Sequence, residues 1–117
     1  MSSNNLVQKI VELAQAKKGK QIVVLNISKL TDLSDYFIII SGDSDIHVKA
    51  ITDHIEKELK CDKVYTYYKE GYQYLNWVVL DYVDVVVHIF KRESREYYGI
   101  ERLWADAAIE FISETEL

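Results

Sequence analysis

The chain has 117 residues, 49% of them hydrophobic and 28% charged, with a formal net charge of −5 at pH 7. That length sets one domain, residues 1–117, able to bury about two-thirds of its extended-chain surface, and the composition excludes a disordered chain. The 14 basic residues are scattered among 19 acidic ones, which argues against a nucleic-acid binder built on concentrated Lys and Arg and favours a basic protein partner.

The opening "MSSNNLVQKI" has no basic stretch followed by an apolar one, so no secretory signal is expected. The apolar runs "YFIII" and "VVVHIF" are too short to cross a bilayer. The expectation is a soluble, cytoplasmic protein without membrane association. The single cysteine, Cys61, excludes an internal disulfide and fits a reducing compartment. It starts a polar "CDK" turn with no catalytic signature around it and reads as a bystander.

In chain order, Leu6, Ile10, Leu13 and Ala14, widened by Val7 and Val11, predict a first helix over residues 3–18. "KKGK" ends it, with Gly19 expected in a left-handed cap. "QIVVLNIS" and "YFIIISG" read as strands joined by "LTDLSD", the second apolar enough for burial on both faces. Val48, Ile51, Ile55 and Leu59 predict a helix over 45–60, capped by Ser44 or Asp43. "KVYTYYKEGYQYLNWVVLDYVDVVVHIF" reads as three strands turning near "KEG" and "YVD". "ESREYYGIERLWADAAIEF" returns to helical spacing through Ile100, Leu103 and Trp104, with Gly99 able to split it in two. The fold class is α/β: one domain with a mixed sheet of about five strands flanked by helices.

Three polar features bear on chemistry. "SGDSD" enters a helix, but its single glycine lacks a following lysine and its aspartates repel anions, so capping explains it better than phosphate binding. His47, His54 and His88 form no HxxxH pattern and no CxxC exists, so no metal and no cofactor are expected. Asp81 and Asp84 stand three apart across a turn, a corner feature and not a catalytic dyad, so no catalytic residue is assigned. The nine tyrosines, five of them within "YTYYKEGYQY", supply either sheet packing or interface surface.

The segments "DYFIIISG", "HVKAI", "WVVLDYVDVVVHIF" and "REYYGIERLWADA" resemble, in this order, the ribosomal silencing factor family, also called Iojap-like proteins. The resemblance runs over about residues 4–107. It implies a nucleotidyltransferase-like architecture without that activity, hence a protein that is not an enzyme. It also implies binding to large-subunit ribosomal protein number fourteen. That contact would obstruct small-subunit joining to the large ribosomal subunit and hold translation down in starvation or stationary phase. The family's polar strand positions fall on Trp77, Asp81, Tyr82, Asp84 and His88. On this reading Trp77 and Tyr82 are apolar anchors, while Asp81 and Asp84 face Lys or Arg of the partner. Arg95, Tyr98, Glu101, Arg102 and Trp104 resemble a C-terminal brace, with Trp104 in the core. The chain departs from the family at Val83, where glycine is common, and at Gly99, where a helix-capping acid is common.

Two rivals come from other classes. A nucleotidyltransferase needs a Gly-Ser phosphate loop and carboxylates two apart on a strand to hold two metal ions. This chain has "SG" in the opposite order and Asp81 and Asp84 at a turn. A ribosome assembly factor acting as a homodimer would use the tyrosine cluster as a self-complementary patch.

Overall fold

A computed structural model describes residues 2–113. Helix α1 (Ser3–Ala16) leads to strands β1 (Lys20–Asn26) and β2 (Tyr36–Gly42), then helix α2 (Asp45–Cys61). Strands β3 (Tyr68–Glu70), β4 (Trp77–Asp81) and β5 (Val85–Lys91) follow, then short helices α3 (Arg92–Tyr98) and α4 (Ile100–Leu103) and strand β6 (Ala108–Phe111). The six strands form one sheet in the order β3-β4-β5-β2-β1-β6. Only β2 and β5 run parallel.

Both long helices start on serine caps. The Ser2 hydroxyl accepts the Asn5 N–H and the Ser44 hydroxyl accepts the His47 N–H, each at 3.2 Å, which satisfies donors that the first helical turn leaves unpaired. The left-handed residue ending α1 is Lys18, φ 60°, and not the expected Gly19. Gly19 is required for space: a Cβ there would lie 2.9 Å from Ile40 Cγ2 and 3.1 Å from the Ala14 carbonyl.

Alternation along the strands divides the sheet into two faces. Ile22, Val24, Ile38, Ile40, Val78, Leu80, Val85, Val87 and Ile89 point to one side. There they pack under Leu6, Ile10, Leu13 and Ala14 of α1 and Val48, Ile51, Ile55 and Leu59 of α2. Each such side chain fully buried contributes about 1.5–3 kcal/mol, so this layer supplies most of the folding drive. The other face carries Val23, Leu25, Ile39 and Phe90 and is covered only in part, by Ile100, Ala107 and Trp104. Among the described residues no long helix lies on it.

Two expectations for the chain's last segment change. The sheet has six strands, not about five, because "AIEF" is strand β6 and not a continuation of the helix. Its Ile109 and Phe111 pair with Leu25 and Val23 across an antiparallel register, so backbone bonding to β1 overrides the helical spacing read from Ile100 to Trp104. Gly99 does divide the preceding stretch into two helices, with φ 56°.

Candidate protein-docking face

The partly covered face is floored by β5, buried along nearly its whole length. His88 sits in the middle of this strand, 6% exposed, paired with Val79 of β4 and Ile39 of β2. An imidazole is tolerated there because the Trp77 indole N–H donates to His88 Nδ1 over 3.0 Å. That bond leaves the proton on Nε2. Burial lowers the His88 pKa from 6.5 to about 4, so the ring is neutral at pH 7. Among the described residues the buried Nε2 has no hydrogen-bond partner.

Around His88 the aromatic rings join in a continuous chain. Trp77 stacks on Phe90 with centroids 5.0 Å apart and meets Tyr98 at 4.9 Å. Phe37 touches His88 at 4.6 Å and meets Trp104 edge-on at 5.5 Å. Tyr97 stands edge-on against Tyr98 at 5.1 Å. Such tilted and edge-to-face contacts each add about 0.5–1.5 kcal/mol beyond area burial. The chain of rings runs from β2 across β5 and β4 to α3, and its outer members are open: Tyr98 is 45% exposed and Tyr97 81%.

The same face continues to the β3 edge through Val79 and Asp81, half-buried, and Tyr68 and Glu70, exposed. Asp81 Oδ1 accepts the Val83 N–H over 2.7 Å, closing the turn into β5. Asp84 follows in that turn with its side chain exposed, while its carbonyl accepts from the Asp35 and Tyr36 N–H groups and the Ser34 hydroxyl. Val83, exposed, adopts φ 75°. This is the left-handed region that glycine occupies freely and a β-branched residue does not. The departure noted in the sequence is therefore a strained valine in a turn built for glycine.

The structure brings Trp77, His88, Tyr98 and Trp104 together and puts Asp81 on the same face, with Asp84 at its margin. It removes Tyr82. Strand alternation and the turn send that side chain to the opposite face, 8% exposed in the helix-side core, so as folded it is no surface anchor. Burial, with Glu56 nearby, raises its hydroxyl pKa. Trp104 packs on Phe37 but remains partly exposed, and so is not a core residue in full. Phe37, Phe90 and Tyr97 were missed; the period-two spacing of Phe90 from His88 was the available signal.

Arg95 and Glu101 do form a brace. Arg95 Nε and Nη2 donate to the Glu101 carboxylate at 2.7 and 3.1 Å, and Nη1 donates to the Gln21 carbonyl and the Ser41 hydroxyl. These bonds hold α3 and α4 to the β1 bulge and to β2. Arg102 lies outside this set and is exposed.

The remaining polar candidates resolve as structure. His47 Nδ1 accepts the Asp43 N–H at 2.8 Å and Nε2 donates to the Lys17 carbonyl at 2.8 Å, so it fastens the start of α2 to the end of α1. With Ser44 capping the same turn, two of the donors a phosphate would use, the Asp43 and His47 N–H groups, are engaged. Among the described residues no three His, Cys, Asp or Glu side chains gather as a metal site, and no helix is long and apolar enough to cross a membrane.

Together these features define the class: a single α/β domain with a mixed sheet, helix-covered on one side and presenting an aromatic, acid-edged face on the other. Residues 1–116 match the family model RsfS, described as ribosomal silencing factor during starvation, and the chain belongs to that family. It is 37% identical over 107 residues to a ribosomal silencing factor of Halalkalibacterium halodurans, covering 92% of each chain. A crystal structure of a Chromobacterium violaceum protein superposes with a TM-score of 0.87 at 34% identity, covering 99% of this chain and 98% of the other. A mouse protein named for mitochondrial assembly of the ribosomal large subunit is 30% identical over 101 residues, 84% of this chain and 44% of that one.

Proposed function

We propose that this chain docks on the large ribosomal subunit through ribosomal protein number fourteen, in the cytoplasm, and obstructs joining of the small subunit. Translation is thereby held down when nutrients are scarce or growth stops. Membership in the silencing-factor family supports the ribosomal setting, and the mouse relative's name supports the large subunit. The protein acts by occupying a surface, not by catalysis.

The observation that carries the choice of surface is the ring chain from Trp104 to Tyr97 on the sheet face that no long helix covers. Large, partly exposed aromatic rings held in place by one another lose little side-chain freedom on binding, which is the character of an interface hot spot. Glu70, Asp81 and Asp84 along its margin give it an acidic edge, suited to a basic ribosomal protein. Trp77 is the anchor, with its orientation fixed by His88. Asp84 is the free carboxylate for partner Lys or Arg.

Co-sedimentation with purified large subunits tests this, comparing wild type with Trp77→Ala and Asp84→Lys, each checked for folding by circular dichroism. Trp77→Ala should weaken binding by roughly 30-fold, as expected for an aromatic hot spot, and Asp84→Lys should slow association. Full binding by both folded variants sinks the surface assignment. Failure of the wild type to sediment with subunits, or to slow their joining with small subunits in light scattering, sinks the function.

A further inference from the structure

The basic residues are not uniformly spread. The chain has three arginines, Arg92, Arg95 and Arg102, all within eleven residues, and all three line one open groove around the left-handed turn at Gly99. Their states differ. Arg95 is committed to Glu101, Gln21 and Ser41 and cannot turn to a ligand without undoing the brace. Arg92 makes only a long contact of 3.8 Å with Asp43, with the two side chains 63% and 50% exposed. Arg102 is exposed and, among the described residues, forms no ion pair.

The groove also carries Glu96 and Glu101. Among the groove's lining residues Glu101 is neutralised by Arg95, which leaves two guanidinium groups beside one carboxylate, Glu96, while Asp43 stands 3.8 Å from Arg92. The site is therefore at most one charge positive, on a protein whose total is −5. That accommodates the single negative charge of a phosphodiester and falls short of what a nucleoside polyphosphate needs. Guanidinium forks match phosphate oxygens bidentately, which an ammonium does not. On the same short helix, Tyr97 offers an exposed ring of the kind on which an unpaired base stacks. Through Tyr98 this ring continues into the docking face.

We propose that Arg92 and Arg102 bind a backbone phosphodiester of ribosomal RNA beside the docked ribosomal protein, with Arg95 as a positioning residue. This rests on the docking reading above and adds a nucleic-acid contact to a chain whose overall charge disfavours one. The contact is to the backbone and reads no sequence.

Two binding series separate the two ideas. Wild type, Arg92→Gln/Arg102→Gln and Arg92→Lys/Arg102→Lys are each titrated against intact large subunits and against purified ribosomal protein number fourteen, over roughly 50 to 200 mM salt. On subunits, the Gln pair should bind about tenfold more weakly at the lowest salt. Its plot of log affinity against log salt should be shallower by about one to two, the loss expected for one or two phosphate contacts. The Lys pair should keep the wild-type slope with part of the affinity. On the isolated protein all three chains should bind equally. Unchanged affinity and slope of the Gln pair on subunits overturns the inference. An equal loss on the isolated protein also overturns it, by placing the arginines against protein. Wild type that binds neither target overturns the docking reading itself.

Discussion

Trp77 and His88 are diagonal neighbours on adjacent strands, two residues out of direct register, and a single 3.0 Å hydrogen bond fixes the orientation of one ring and the tautomer of the other. The pair joins the buried floor, to which His88 belongs, to the partly covered aromatic face that carries Trp77.

That joint makes stability depend on pH. The folded pKa of His88 is about 4 against 6.5 for the free side chain. Above pH 6.5 both folded and unfolded chains hold it neutral. As pH falls towards 4 the unfolded chain takes up a proton that the folded one refuses, and stability is lost across that window. The loss amounts to roughly 3 kcal/mol. Urea unfolding at pH 7, 5.5 and 4 should show it, and His88→Phe, which keeps a ring between Phe37 and Phe90, should remove that part of the slope. An identical pH dependence in the variant would refute the assignment.

Val83→Gly should stabilise the protein. At φ 75° valine pays a steric penalty of about 1–2 kcal/mol that glycine avoids, less the extra freedom glycine gives the unfolded chain. The net gain should be about 1 kcal/mol, seen as a rise of a few degrees in melting temperature. The side chain is exposed, so no packing is lost.

Gly71→Ala should do the opposite. Gly71 has φ 81°, and a Cβ there would overlap the Trp77 carbonyl oxygen. Backbone cannot step aside as a side-chain tip does, so strain and clash together should exceed about 3 kcal/mol. Because the clash falls on Trp77, hydrogen exchange should show the β3–β4 hairpin opening first. Exchange loss confined to α1 would contradict this.

Arg95→Ala should loosen α3 and α4 without unfolding the sheet. The variant strands the Glu101 carboxylate and frees the Gln21 carbonyl and Ser41 hydroxyl. Since Glu101 is partly solvated, the cost should be roughly 2 kcal/mol, below that of a fully buried pair. Faster amide exchange in residues 100–104 is the signature to seek.

How much of this could be read from the amino acids depends on the range of the forces involved. Helix α2 was legible because Val48, Ile51, Ile55 and Leu59 repeat locally and Ser44 marks the start. The split at Gly99 and the turn at Val83 were legible for the same reason. Strand β6 was not, because four residues carry little period of their own and the partner strand lies more than eighty residues away. Tyr82 shows a different failure. The family resemblance implied an anchor there, but its even position opposes it to Trp77, Val79 and Asp81, so simple parity already placed it inside. The ring chain is a matter of tertiary structure: Phe37, Trp77, His88 and Tyr98 come from four separate elements and Trp104 from the turn after α4.

The placement of β6 beside β1 also governs the order of assembly. Val23 to Asn26 make antiparallel bonds on one side to β2, formed early and locally, and on the other to residues 108–111. As the chain emerges during synthesis, one flank of β1 therefore stays unpaired until residues 108–111 have been made. An open strand flank is a template for mispairing with other chains. Slow translation between β1 and β6 would lengthen that exposure, so the hazard in making this protein falls in the interval that separates those two strands.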